Sequence, residues 1–161
     1  MRKLTRRFVV ESTEGLNLSS PLPYERYYIK DKTRIQNRGG QYEKEVLDEN
    51  GEIIVKSVLS KEEYENLKKQ SDKVVARKSY LFLDDNRVSI KEYLGDYAGL
   101  IRAEVEFRNA EEQKSFRPYS WMIKEITDSP LAFDSLLHKL SKHEFEEELT
   151  GVKNGSRDKT I

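Results

Sequence analysis

Gly99-Leu-Ile-Arg-Ala-Glu-Val-Glu-Phe107 is the stretch on which the fold turns. Its residue types predict a β-strand, yet Arg102, Glu104 and Glu106 recur at every second position. Side chains alternate across a strand, so these three share one face while Ile101, Ala103, Val105 and Phe107 share the other. The same division returns along the chain. Lys3 shares a face with Thr5 and Arg7, Arg34 with Gln36, Arg77 with Ser79, and Lys91 with Ser89 and Tyr93. Alternation alone favours solvated outer faces. If the strands instead curve so that their ionic faces look at one another, they enclose an interior rich in Arg and Lys. Such an interior suits a polyphosphate, because guanidinium groups clamp phosphate oxygens in pairs and carboxylates hold a divalent cation.

Periodicity and turn residues predict strands over 4–10, 24–29, 33–37, 41–47, 52–58, 74–83, 87–93 and 100–107. Asp48-Glu-Asn-Gly51 and Asp84-Asp-Asn86 supply hairpin turns. Ser60-Lys-Glu-Glu63 is a capping box that opens a helix over 61–69. Asn109 starts a second helix ending near Phe116, and Pro130 to Leu149 reads as a third, longer one. Eight antiparallel strands with flanking helices predict an α+β domain over 1–149, its sheet closed or nearly closed into a barrel. The tail over 150–161 is expected to be disordered.

Composition narrows the functions. The 161 residues suffice for one domain with a sizeable core. Charged residues make up 36% of the chain, yet the net charge is zero, which argues against a protein that coats nucleic acid. The β-branched and aromatic content argues against a disordered polyelectrolyte. The absence of cysteine excludes disulfides, thiol nucleophiles and Cys-based zinc sites. No apolar run has the length of a signal peptide or membrane span, so a cytoplasmic setting without a membrane partner is expected. His138 and His143 fall on different faces of a helix, which argues against a shared metal. Tyr119 and Trp121 read as packing residues.

The motifs run in a definite order. They are Arg6-Arg-Phe-Val-Val10, Tyr27-Tyr-Ile29, Thr33-Arg-Ile-Gln36, Arg77-Lys-Ser-Tyr80, Ile90-Lys-Glu-Tyr93, the stretch from Gly99 to Phe107, Pro118-Tyr-Ser-Trp121 and Lys124-Glu-Ile-Thr127. In this order they resemble the CYTH superfamily, the triphosphate tunnel metalloenzymes, which include class IV adenylate cyclases and thiamine, inorganic and RNA triphosphatases. The resemblance implies a tunnel with an ionic lumen. It implies phosphate-binding roles for Arg7, Arg34, Arg77, Lys91 and Arg102, and a site for Mg²⁺ or Mn²⁺ at Glu104 and Glu106. It singles out no catalytic residue.

The departures bear on chemistry. The family's two opening glutamates, both metal ligands, fall on Lys3 and Thr5, and its signature lysine on Arg7. A metal-binding aspartate falls on Lys91, and two family arginines on Gln36 and Ser79. Lys3 and Lys91 would repel Mg²⁺, so the two-ion arrangement of phosphoryl transfer is hard to build here. Two functions stay open. One is binding of a triphosphate-containing ligand, nucleotide or polyphosphate, without turnover. The other is a metal-dependent hydrolase of inorganic, nucleoside or thiamine triphosphate. The expected partner is a phosphorylated small molecule, with nucleic acid entering only as a 5′-triphosphate end, and the chain is expected to be a monomer or homodimer.

Overall fold

The computed structural model describes residues 4–158, so Lys3 and residues 159–161 lie outside the described residues. Among the described residues nine antiparallel strands form one sheet. They are β1 (Leu4–Val10), β2 (Leu22–Lys30), β3 (Thr33–Arg38), β4 (Gln41–Leu47), β5 (Ile53–Val58), β6 (Val74–Leu81), β7 (Val88–Leu94), β8 (Ile101–Phe107) and β9 (Met122–Glu125). The helices are α1 (Lys61–Lys68), α2 (Ala110–Ser115), α3 (Asp134–Leu137) and α4 (Lys142–Asp158). No helix among the described residues is long and apolar enough to cross a membrane.

The spatial order is β5-β4-β3-β2-β6-β7-β8-β1-β9. The expectation of eight strands in a closed or nearly closed barrel is corrected in two ways. A ninth strand, only four residues long, pairs with β1, placing Phe8 opposite Glu125. The sheet also does not close by strand pairing, since β5 and β9 form its two ends. All six residues of β5 are exposed, so this edge stands in solvent. The tip of the β4–β5 hairpin nevertheless reaches α3, where a Cβ on Gly51 would lie 3.4 Å from Ser135 Oγ. The approach of Gly51 to Ser135 bounds the interior on that side.

The helix expected over 130–149 is interrupted. Pro130–Ala132 is a 3-10 turn capped by Ser129, whose hydroxyl accepts from Leu131 N at 3.1 Å. Phe133 is extended, with φ −133° and ψ 134°. A second capping box then opens α4: Ser141 Oγ accepts from Glu144 N at 3.1 Å, and Glu144 accepts from Ser141 N at 2.9 Å. Ser141-Lys-His-Glu144 carries that signal in the sequence, but the leucine spacing across it imitates a continuous helix. Helix α4 also continues through Asp158, well past Thr150, where disorder was expected. The interruption matters because it turns Asp134 toward the sheet.

Alternation divides the molecule into an outer and an inner face. On the outer face Phe8, Val10, Val88, Ile90, Ala103, Val105 and Phe107 form a core with Phe116 and Met122. Tyr119 and Trp121 pack there as expected, stacked at 5.3 Å with 8° between their planes. At one end of the inner face Val9, Tyr28, Val75, Tyr93 and Leu100 pack against Leu131, Ala132, Leu137 and Phe145. The rest of the inner face is ionic.

Candidate anion-binding cavity

The ionic part of the inner face encloses a cavity of about 680 Å³, within the range of small-molecule sites. Six cations line it, each from a different strand: Arg7 on β1, Arg26 on β2, Arg34 on β3, Arg77 on β6, Lys91 on β7 and Arg102 on β8. Four acids, Glu52, Glu104, Glu106 and Asp134, stand against them. The structure therefore brings Arg7, Arg34, Arg77, Lys91, Arg102, Glu104 and Glu106 together on one cavity. The ionic faces converge, the arrangement that alternation alone disfavoured. Register explains the meeting of side chains: Arg7 lies opposite Glu104, Lys91 opposite Arg102, and Arg77 opposite Tyr93.

Glu104 is the hub of one half. Its Oε1 accepts from Arg7 Nη1 and Arg102 Nη2, both at 2.9 Å, and Lys91 Nζ lies 3.4 Å from Oε2. Burial alone would raise its pKa, but Lys91, Arg102, Arg7 and Arg77 override it and hold the carboxyl well below the usual range. Burial pushes Lys91 below its ordinary value, and Glu104 offsets part of that. Arg7 is fixed further by a bond to the Ala132 carbonyl at 2.6 Å and by the Phe133 ring, 4.2 Å from its guanidinium carbon. Two buried nitrogens on this wall, Arg7 Nε and Arg102 Nε, have no hydrogen-bond partner among the described residues.

Asp134 is the hub of the other half. Its carboxylate accepts from Arg26 Nη1 at 2.7 Å and Arg77 Nε at 3.2 Å. Arg102 Nη2 approaches at 3.4 Å, and the Tyr93 hydroxyl donates as well. Burial would raise its pKa, but Arg77, Arg26, Arg102 and the Tyr93 hydrogen bond hold it well below the carboxylate range.

Residues absent from the sequence reading complete the site. Alternation along Tyr24-Glu-Arg-Tyr-Tyr28 was enough to place Arg26 on the face of Tyr24 and Tyr28. Glu43 and Glu45 form a further network on β4, across from Gln36 and Arg34. Arg34 Nε donates to Glu45 at 2.8 Å, Gln36 donates to Glu43 at 2.8 Å, and Lys56 lies 3.4 Å from both acids. Their i, i+2 spacing was also a readable signal. Asp134 carried none, because its position depends on the break between Pro130 and α4.

His138 lies outside the cavity, at the end of α3, with its ring stacked on Tyr28 at 3.6 Å and 5°. Burial, helped by Lys139 and Lys73, pushes its pKa down to about 4. The unfolded chain therefore takes up this proton first as pH falls. Its contribution to stability is present above about pH 6.5 and is lost toward about pH 4, amounting to at most about 3 kcal/mol. Urea unfolding near pH 7 and near pH 4.5 should show that loss in the wild type and a flatter profile in His138→Phe. Equal profiles would assign the acid sensitivity to other groups.

The residues present do not fit a resident Mg²⁺ or Mn²⁺. Among the described residues, no group of three or more His, Asp or Glu side chains is placed to hold a metal ion. Of the expected pair, Glu104 is already committed to Arg7, Lys91 and Arg102. A divalent ion there would meet three cations. A carboxylate held as far below its ordinary pKa as Glu104 is also a weak general base.

No family model matches the chain, and no curated protein matches it by sequence. Solved structures do match. The crystal structure of the inorganic triphosphatase NE1496 superposes with a TM-score of 0.72 at 19% identity, covering 88% of this chain and 97% of that one. A second crystal structure, of the hypothetical protein NE1496, gives 0.70 at 20% identity, covering 85% and 97%. The chain shares the fold of these structures. At such identity the likeness is one of fold, and the cavity's ion pairs are this chain's own.

Proposed function

We propose that the chain binds a triphosphate-containing anion, nucleotide or inorganic, in the tunnel cavity without hydrolysing it. One observation carries this reading: six strands each contribute a cation to a single cavity, and cations outnumber acids on its lining. Arginine forks match phosphate oxygens in geometry and charge, and partial burial strengthens each contact. Glu104 and Asp134 are engaged by those cations, so they tune the positive field and are not free to serve a metal-assisted water attack.

The second reading is a metal-dependent triphosphatase, favoured by the name of NE1496, an inorganic triphosphatase. A calorimetric titration with tripolyphosphate and ATP, first in EDTA and then with Mn²⁺, separates the two when phosphate release is followed in the same samples. Binding in EDTA without release is the expected result. Binding and release only with Mn²⁺ would replace the first reading by the second. Absence of binding under both conditions would end both.

A further inference from the structure

Asp134 carries one negative charge into a nest of three guanidinium groups and a phenol. The nest is built by β2, β6, β7 and β8, through Arg26, Arg77, Tyr93 and Arg102. The acid comes from elsewhere, on the four-residue α3. Its side chain is only 1% exposed, yet it lies on the cavity lining beside Phe133 and Ser135. The seat it fills therefore opens on the tunnel and is not sealed into the apolar core.

An anchor for α3 is the plain alternative. That segment is already held by Leu131, Ala132 and Leu137 in the inner core. Arg7 and Arg102 bind the carbonyls of Ala132 and Leu131 at 2.6 and 3.0 Å. An anchor does not require three arginines around a single carboxylate. Three forks and a hydroxyl are the donor set of a phosphoryl group, which offers more oxygens and more charge than a carboxylate.

We propose that Asp134 is the tethered occupant of a phosphoryl subsite, and that by filling it Asp134 limits how long a polyphosphate chain the cavity accepts. The proposal rests on reading the cavity as a polyphosphate site. Asp134→Ser empties the seat, and Asp134→Asn keeps it filled while removing the charge. Each variant and the wild type are followed by thermal unfolding in orthophosphate against chloride at matched ionic strength. They are then titrated with tripolyphosphate and tetrapolyphosphate.

In Asp134→Ser, orthophosphate should raise the melting temperature several degrees more than chloride does, and by clearly more than it does in the wild type. Should this variant fail to fold in chloride, orthophosphate should restore a cooperative transition. The preference for tetrapolyphosphate over tripolyphosphate should rise roughly tenfold over the wild type, with Asp134→Asn showing a smaller rise because the seat stays filled. Equal effects of phosphate and chloride on Asp134→Ser would overturn the proposal, as would an unchanged chain-length preference. Wild-type tripolyphosphate binding combined with no phosphate effect on Asp134→Ser would overturn this inference and leave the proposed function standing. A phosphate effect on Asp134→Ser with no polyphosphate binding to the wild type would overturn the proposed function and support the occupied seat.

Discussion

Replacing Glu104 with Gln should tighten tripolyphosphate binding in EDTA by roughly tenfold and cost about 3 kcal/mol of folding stability. The two effects have one cause. Glu104 neutralises Arg7, Lys91 and Arg102 at distances of 2.9 to 3.4 Å. Gln keeps the shape and one acceptor oxygen but removes the charge, so three cations lose their common counter-ion. A unit charge about 6 Å away is worth about 3 kcal/mol at an effective dielectric constant of about 20, and half of that already gives roughly tenfold. The stability cost follows because breaking a buried ion cluster from one side leaves the other side uncompensated. Calorimetry in EDTA and urea unfolding measure the two arms. Weaker binding by a folded Glu104→Gln would show that this carboxylate works for the ligand through a cation, and the metal-dependent reading would gain.

Arg102→Met should do the opposite to binding and the same to stability. Among the described residues Arg102 alone bonds both hubs: its guanidinium reaches Glu104 at 2.9 Å, Asp134 at 3.4 Å and the Leu131 carbonyl at 3.0 Å. It is 2% exposed. Removing it orphans a carbonyl and leaves the buried Asp134 and the half-buried Glu104 short of charge, a loss of about 3–5 kcal/mol and about 10 °C in melting temperature. Polyphosphate affinity should fall about 10- to 100-fold, the worth of one charged fork to an anion. Arg102→Lys should recover part of the binding through charge and little of the fork geometry. Unchanged affinity in Arg102→Met would place the ligand elsewhere on the molecule.

Much of the site was legible residue by residue, and the reason is geometric. A strand has a side-chain period of two, so any strand correctly recognised sorts its own residues into faces. Bounds read from turns and β-branched runs match β1 and β4 in full, and differ by one or two residues at the ends of most other strands. That was enough to group Arg7, Arg34, Arg77, Lys91, Arg102, Glu104 and Glu106. It failed where periodicity was short or interrupted. Strand β9 has only four residues, too few to alternate visibly. The leucines from Leu131 to Leu140 keep helical spacing across two caps and an extended Phe133.

Closure of the ionic faces onto one another is a different kind of fact. The chain by itself determined the faces, the turns, the capping boxes and the balance of charge, all set by residues within a few positions of one another. Tertiary structure alone decided that the faces meet, that β5 and β9 remain unpaired ends, and that Asp134 sits among Arg26, Arg77 and Arg102. Those arginines are 108, 57 and 32 residues from Asp134. No local preference encodes such pairings. They exist because sheet curvature and the docking of Leu131, Ala132 and Leu137 bring four elements to one point, where buried charges must find partners or remain unsolvated.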